Sequence, residues 1–283
     1  MTESIWESVQ RAQQLLYARG LDTNAAELAI RAVTGKSQAD YLASLREQLP
    51  HEPCSQFWSY IQELLKGKPI QYILGEESFY GYSFEVNEHV LIPRPETEEL
   101  VYHALERANK LFGDRLIQVA DIGTGSGAIA VAFKKERLSA DVTATDFSEE
   151  ALKVAKRNAE RNEADITFLQ GDMEEPLAQQ KWDVILSNPP YIAEQEKEEM
   201  SPTVYDFEPA SALFAEEEGL YFYRRLAERL SPMLNKPAFI GFEIGYLQGE
   251  KVQNFLQEAF PQAEVEIIQD INKKDRMIFC EIR

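Results

Sequence analysis

Cysteine is nearly missing from this chain of 283 residues. Cys54 and Cys280 stand far apart, with neither the spacing of a metal cluster nor the density of a disulfide scaffold. Both are expected as small core side chains, and no metal site is expected. Histidine is scarce too: His51, His89 and His103 all precede the glycine-rich segment described below, which leaves a hydride-transfer site without the acid/base it needs. No apolar run approaches the length of a membrane span, and residues 1–7 show no basic segment leading into an apolar one, so a cytoplasmic protein with no membrane contact is expected. Positive charge is also deficient, with 29 Lys+Arg against 48 Asp+Glu and a net charge of −19. The deficit is local. Residues 1–75 hold 7 Lys+Arg against 8 Asp+Glu, and residues 76–283 hold 22 against 40, a net −18. A surface of that sign repels phosphate backbones, so direct contact with nucleic acid is not expected.

What remains is ordinary for a globular protein. A hydrophobic fraction of 44% supplies a sizeable core, and the length suits one and a half to two domains. Residues 1–75 read as a small helical domain. Ile5, Val9, Ala12 and Leu16 repeat at helical spacing; further helices are expected from Asp22 to Gly35, from Ser37 to Leu49 and from about Pro53 to Leu65. No cluster of catalytic residue types occurs there, which suits a folding or partner-docking module. Over residues 76–95 the period changes to two, through Phe79, Phe84, Val86, Val90 and Ile92, predicting a connecting β-hairpin. Residues 96–283 form the third segment. It opens behind the rigid stretch Ile92-Pro93-Arg94-Pro95-Glu96-Thr97-Glu98, of a kind that often walls a site, and alternates strand and helix as a doubly wound α/β domain does.

Two places in that domain carry chemistry. Strand Leu116–Asp121 runs into Gly123-Thr124-Gly125-Ser126-Gly127 and a helix of small residues, where glycines admit a ligand to the backbone and the helix start offers unpaired N–H groups. Asp146 follows the next strand, placed to take ribose hydroxyls, and Asp172-Met173 follows the third. Gly123, Gly125 and Ala128 also fit a dinucleotide fingerprint, so the glycines alone decide nothing.

The fourth strand decides. Val184-Ile185-Leu186-Ser187 leads into Asn188-Pro189-Pro190-Tyr191, where two prolines stiffen an exposed strand end. The Asn188 carbonyl oxygen and the Pro189 C=O are two fixed acceptors for the coplanar N–H groups of an amide or aromatic amine, and Tyr191 offers a ring for stacking. A plain turn would also end a strand. Beside a nucleoside-binding loop, however, an amide grip points to methyl transfer from S-adenosylmethionine to nitrogen, with the acceptors strengthening as positive charge develops on that nitrogen.

At these residues the chain resembles the bacterial N5-glutamine methyltransferases of peptide-chain release factors, the PrmC/HemK family. The resemblance runs through the helical domain, Pro69-Ile70-Gln71-Tyr72-Ile73-Leu74-Gly75, Leu91 to Glu98, Asp121 to Gly127 and Asn188 to Tyr191. It implies a seven-stranded S-adenosylmethionine-dependent methyltransferase fold and a monomer acting on the glutamine of a release factor's Gly-Gly-Gln loop. It further implies that Gly123, Thr124, Gly125, Ser126, Gly127, Asp146, Asp172, Met173 and Asn188 bind the cofactor. Asn188, Pro189, Pro190 and Tyr191 would be the catalytic set. One departure stands out: where the family tends to have a glycine near the C-terminus this chain has Lys273, with Asn272 available to take the left-handed conformation.

Two other readings compete. An N6-adenine DNA or RNA methyltransferase would grip the same planar donors with the same tetrapeptide, but it needs a basic groove and room for a flipped base. A decayed scaffold that only binds partners would keep the fold without the cofactor. The acidic stretches Glu194 to Glu199 and Glu216 to Glu218 are either solvated faces or a means of steering a basic protein partner.

Overall fold

The computed structural model describes residues 3–283. They divide into two compact units, one of residues 3–76 with Ser201–Phe207 and one of Glu77–Met200 with Glu208–Arg283. Ser201–Phe207, expected within the C-terminal domain, thus clusters with the helical residues.

The first unit begins with α1 (Ile5–Tyr17), whose Ser4 and Glu7 cap each other's backbone N–H groups while Ile5, Val9, Ala12 and Leu16 are buried. Next come α2 (Ala25–Thr34), stopped by Gly35 in the left-handed conformation, and α3 (Gln38–Ala43) behind the N-cap Ser37. The α3 helix is shorter than its periodicity predicts. Residues 45–49 instead give backbone groups to the chain's start, where Ile5 N–H donates to Glu47 C=O and Leu49 N–H to Glu3 C=O. Helices α4 (His51–Leu64) and α5 (Ile70–Leu74) complete the bundle around Phe57, Ile61 and Ile30.

In the second unit, β1 (Glu76–Phe79) and β2 (Tyr82–Glu85) form a single hairpin turning at Gly81; Val86 to Arg94 are not strand, contrary to the period-two reading. Phe79 and Phe84 sink into the domain core, and Arg157 and Asn158 hold Glu85, so the hairpin is clamped to the α/β domain. After α6 (Pro95–Phe112) the elements run β3 (Ile117–Ile122), α7 (Ala128–Glu136), β4 (Ala140–Asp146), α8 (Glu149–Arg161), β5 (Ile166–Gln170) and β6 (Trp182–Ser187). The chain then gives α9 (Pro202–Phe207) to the first unit, and the second continues through α10 (Glu216–Gly219), α11 (Tyr221–Leu230), β7 (Leu234–Glu243), α12 (Gly249–Ala259), β8 (Glu264–Gln269) and β9 (Asp275–Ile282).

The seven-stranded sheet has the order β5-β4-β3-β6-β7-β9-β8, parallel except for β9, which runs antiparallel to both of its neighbours, β7 and β8. Strand alternation divides the core. Val119, Val184 and Phe239 pack under α6 and α7, whereas Ala120, Ile185 and Ile240 pack against α11 and α12. Each fully buried Leu, Ile or Phe contributes about 1.5–3 kcal/mol. Cys280 lies in this core and burial pushes its thiol up to about 12.

The β8–β9 turn corrects the sequence reading. Lys273 itself takes the left-handed conformation, at φ 61°, while Asn272 N–H and Lys274 N–H both donate to Asp270 Oδ1 at 2.8 and 3.0 Å. An L-residue pays about 1–2 kcal/mol there that glycine does not. Lys273→Gly is therefore expected to raise stability by about 1 kcal/mol and the melting temperature by a few degrees. A melting temperature that stays level or falls would refute the strain.

Candidate active site

β3 and β6 run side by side and parallel, with Ile122 opposite Ser187, and Ser187 Oγ donates to the Ile122 carbonyl at 2.7 Å. Gly123 and Asn188, the residues that follow, therefore leave the sheet together. Gly123 and Gly125 take positive φ, 70° and 54°, and Thr124 N–H donates to Thr145 C=O at 2.8 Å, which folds the loop over the end of β4.

A cavity of about 360 Å³ opens at this corner. Gly123, Thr124, Gly125 and Ser126 line it, as do Asp146, Asp172 and Met173, and so do Asn188 and Pro190. Pro93, Arg94 and Thr97 from the proline-rich stretch complete part of its wall.

Three residues named from the sequence lie elsewhere. Gly127 does not line the cavity: a Cβ there would stand 3.2 Å from the Ala155 Cβ, so this glycine lets α7 and α8 approach. Pro189 is buried behind its neighbours. Tyr191, expected to stack on a ligand, packs into the core under α11 and donates its hydroxyl to Glu243 Oε1 at 3.4 Å; burial raises its phenol pKa.

Each acid near the cavity is held. Asp146 Oδ2 accepts from Gly125 N–H at 2.9 Å and Oδ1 from Ser148 N–H at 2.8 Å, with burial raising its pKa. Asp172 accepts from the Arg225 guanidinium at 2.6 Å. Arg94 is paired with Glu208, whose buried carboxylate also accepts from Ile92 N–H.

Sequence reasoning missed Asp121, Thr97 and Glu243. Asp121 is the penultimate residue of β3, fully enclosed; Oδ2 accepts from Thr124 Oγ1 at 2.5 Å, while Oδ1 completes no hydrogen bond among the described residues. Burial pushes its carboxyl up to about 7, only partly offset by the Thr124 hydroxyl. Glu243 ends β7 and is also pushed up to about 7 by burial, against the pull of Thr97 Oγ1, which donates to Oε2 at 2.6 Å. The available signal was an acid closing an apolar strand, as in Val119-Ala120-Asp121 and Ile240-Gly241-Phe242-Glu243.

With this geometry established, comparison with known proteins is direct. The family described as PrmC N-terminal domain matches residues 7–75, and that described as Methyltransferase small domain matches residues 102–210. The release factor glutamine methyltransferase of Bacillus anthracis is 46% identical over 98% of this chain and 99% of its own. The chain belongs to the release factor glutamine methyltransferase family. Its relative of the same name in Bacillus subtilis (strain 168) is 44% identical over 98% of this chain and 97% of its own. Among solved structures, a methyltransferase from Pyrococcus furiosus superposes with a TM-score of 0.52 at 21% identity, covering 78% of this chain and 96% of that one. The fold of this family member is the S-adenosylmethionine-dependent methyltransferase fold, and the protein is an enzyme.

Two expectations follow from the site of this family member. At Gly219, φ 80°, a Cβ would stand 2.0 Å from the Tyr191 carbonyl oxygen, so Gly219→Ala must displace the tetrapeptide's end. We expect a loss of roughly 2–3 kcal/mol with turnover falling as well, read by thermal melting and initial rates; unchanged melting would show that the two loops are not in contact. The second concerns pH. Asp121 keeps its proton up to about 7 in the folded protein but releases it near 3.8 when unfolded. Its contribution is therefore fully present below about 4 and lost as pH rises to about 7. In this window Asp121→Asn should flatten the decline of unfolding free energy by up to about 1.4 kcal/mol per pH unit. Equal slopes in urea titrations would sink the assignment.

Proposed function

We propose that this enzyme transfers a methyl group from S-adenosylmethionine to the side-chain amide nitrogen (N5) of a glutamine in the Gly-Gly-Gln loop of peptide-chain release factors. The observation that carries the reading is one cavity lined by both the glycine loop and Asn188, in a chain whose relatives are named for that activity. S-adenosylmethionine, when bound, supplies a methyl group made electrophilic by its sulfonium sulfur.

The residues fit that cofactor. A Cβ added at Gly123 or Gly125 would meet nothing within 4 Å, so the loop backbone fronts open space. Gly123 to Ser126 would hold the cofactor at the start of α7, Asp146 would accept from its ribose hydroxyls, and Asp172 and Met173 would hold the adenine. Gly127 would act only by shaping the loop.

Asn188 Oδ1 accepts one N–H of the glutamine amide and is hydrogen-bonded by no other described residue; for the Pro189 C=O to take the second, the strand end must turn it out from behind its neighbours, because Pro189 does not line the cavity. An amide nitrogen is a poor nucleophile because its lone pair is delocalised. Fixing both N–H groups holds that nitrogen in line for attack, and the acceptors bind more tightly as it gains positive charge. Its proton leaves late, to water or a carbonyl oxygen. Pro190 stiffens the corner and Tyr191 anchors it through Glu243.

The helical unit would dock the release factor. Of the acidic stretches, Glu217 and Glu218 are paired with Arg224 and Lys251, which leaves Glu194, Glu196 and Glu216, all exposed, as the residues able to steer a basic partner, while the side chains of Glu198 and Glu199 lie outside those described. We read the enzyme as a cytoplasmic monomer that binds neither nucleic acid nor membrane. Its acidity supports the first exclusion, and no described helix is long and apolar enough to cross a membrane.

Asn188→Ala should lose roughly 10²-fold or more in turnover, with cofactor affinity changing much less. Mass spectrometry of a release factor's Gly-Gly-Gln peptide, prepared with and without the enzyme, reads both points. Absence of a methyl on that glutamine with the unmutated enzyme would overturn the activity, and near-normal turnover in the variant would remove Asn188 from it.

A further inference from the structure

We propose that Glu243 is a positioning residue for Asn188, acting through the Thr97 hydroxyl to fix which end of the Asn188 amide faces the cavity. This rests on the reading that Asn188 Oδ1 accepts from the substrate amide.

Register brings the parts together. Ser187 pairs with Phe242 across β6 and β7, so the next residues, Asn188 and Glu243, stand at the same level. Glu243 is enclosed and does not line the cavity. Thr97, in the first turn of α6, lies between them and does line it. Its Oγ1 donates to Glu243 Oε2 at 2.6 Å and accepts from Asn188 Nδ2 at 3.3 Å.

The chain of polarity follows from donor counting. A hydroxyl has a single hydrogen, and Glu243, once ionised as pH rises past about 7, only accepts. Glu243 therefore claims the Thr97 hydrogen, and Thr97 Oγ1 is left with lone pairs alone. Whatever Asn188 turns toward Thr97 must be a donor, which is Nδ2. Oδ1 is then the atom left for the cavity. Other groups hold Glu243 in this role: Tyr191 donates to its Oε1, the Arg276 charge favours its ionised form, and Glu96 opposes it. The Glu243 C=O is occupied separately by the Tyr223 hydroxyl at 2.8 Å.

Without Glu243 the Thr97 hydrogen is free to point at Asn188 Oδ1. The Asn188 amide then turns over and offers N–H groups to the N–H groups of glutamine. Substrate still reaches the cavity by its shape, but the nitrogen is no longer aligned, so turnover falls more than KM rises.

The test uses the full-length enzyme and a release factor carrying an unmethylated Gly-Gly-Gln loop, with kcat, KM, melting temperature and the Kd for S-adenosylmethionine measured on each variant. Thr97→Val and Glu243→Met should each lose roughly 10–100-fold in kcat, with cofactor Kd within about threefold of the unmutated enzyme. Because Glu243 acts through Thr97, the double variant should fall no more than about threefold below Thr97→Val alone. Thr97→Ser, which keeps the hydroxyl, should retain at least roughly tenfold more kcat than Thr97→Val. A Thr97→Val enzyme of normal turnover, or losses that multiply in the double variant, overturns the proposal. Should Glu243→Met not fold, the Val and Ser variants decide it alone. If instead the unmutated enzyme leaves the release factor unmethylated, the activity itself fails and this proposal falls with it.

Discussion

The pairing of Ile122 with Ser187 is the constraint on which everything else in the catalytic domain depends. In a parallel sheet wound in both directions, the first and fourth strands meet where the strand order reverses, and their C-terminal ends open a crevice with no crossover to cover it. Here β3 ends in a glycine loop and β6 in a proline-stiffened asparagine. The two devices come within reach of one cavity because of register, and a shift of one residue in β6 would turn Asn188 to the other face of the sheet. The Ser187 hydroxyl, spent on the Ile122 carbonyl, makes that shift costly.

Around this corner the loops are fastened to each other. Gln248 Nε2 donates to the Tyr191 carbonyl at 2.9 Å and also reaches Glu218 C=O. The Arg94–Glu208 pair ties the stretch before α6 to the stretch after the tetrapeptide, with the Glu208 carboxylate buried and further held by Ile92 N–H. A buried charge of this kind is tolerable only when paired, so the pair acts as a clasp. Residues 86–94, which the period-two pattern assigns to strand, instead form part of the cavity wall with Val86, Val90 and Ile92 buried, and Pro93 cannot donate to a ladder.

What could be read from the sequence was local. The glycine loop, Asp146 after β4 and the Asn188 tetrapeptide are each written in a few adjacent residues, and the apolar strands behind them have few alternatives. Gly127 reads as a ligand-binding residue because it belongs to the same run of glycines, yet its neighbour is Ala155 on another helix, a contact no local pattern encodes. The sequence offers Tyr191 as a stacking ring because it follows two prolines at a strand end; the fold turns it inward to a carboxylate 52 residues away. Thr97 and Glu243, 146 residues apart, carry no motif of their own and become visible only once β7 lies beside β6.

The two missed acids follow one design. Asp121 and Glu243 both lie at or next to the end of an apolar strand, both are enclosed, and each takes the hydrogen of a threonine that lines the cavity, Thr124 at 2.5 Å and Thr97 at 2.6 Å. A carboxylate exposed in the cavity would draw in water and counterions; placed behind a hydroxyl, it is hidden and its influence is passed on as orientation. A hydroxyl whose hydrogen is committed backward shows only lone pairs forward. At Thr97 and Thr124 the cavity thereby presents acceptors without presenting charge, and acceptors are what a planar N–H₂ group requires. The cost is two carboxyls whose proton affinity is raised by burial, and that cost is carried by the strands that hold them.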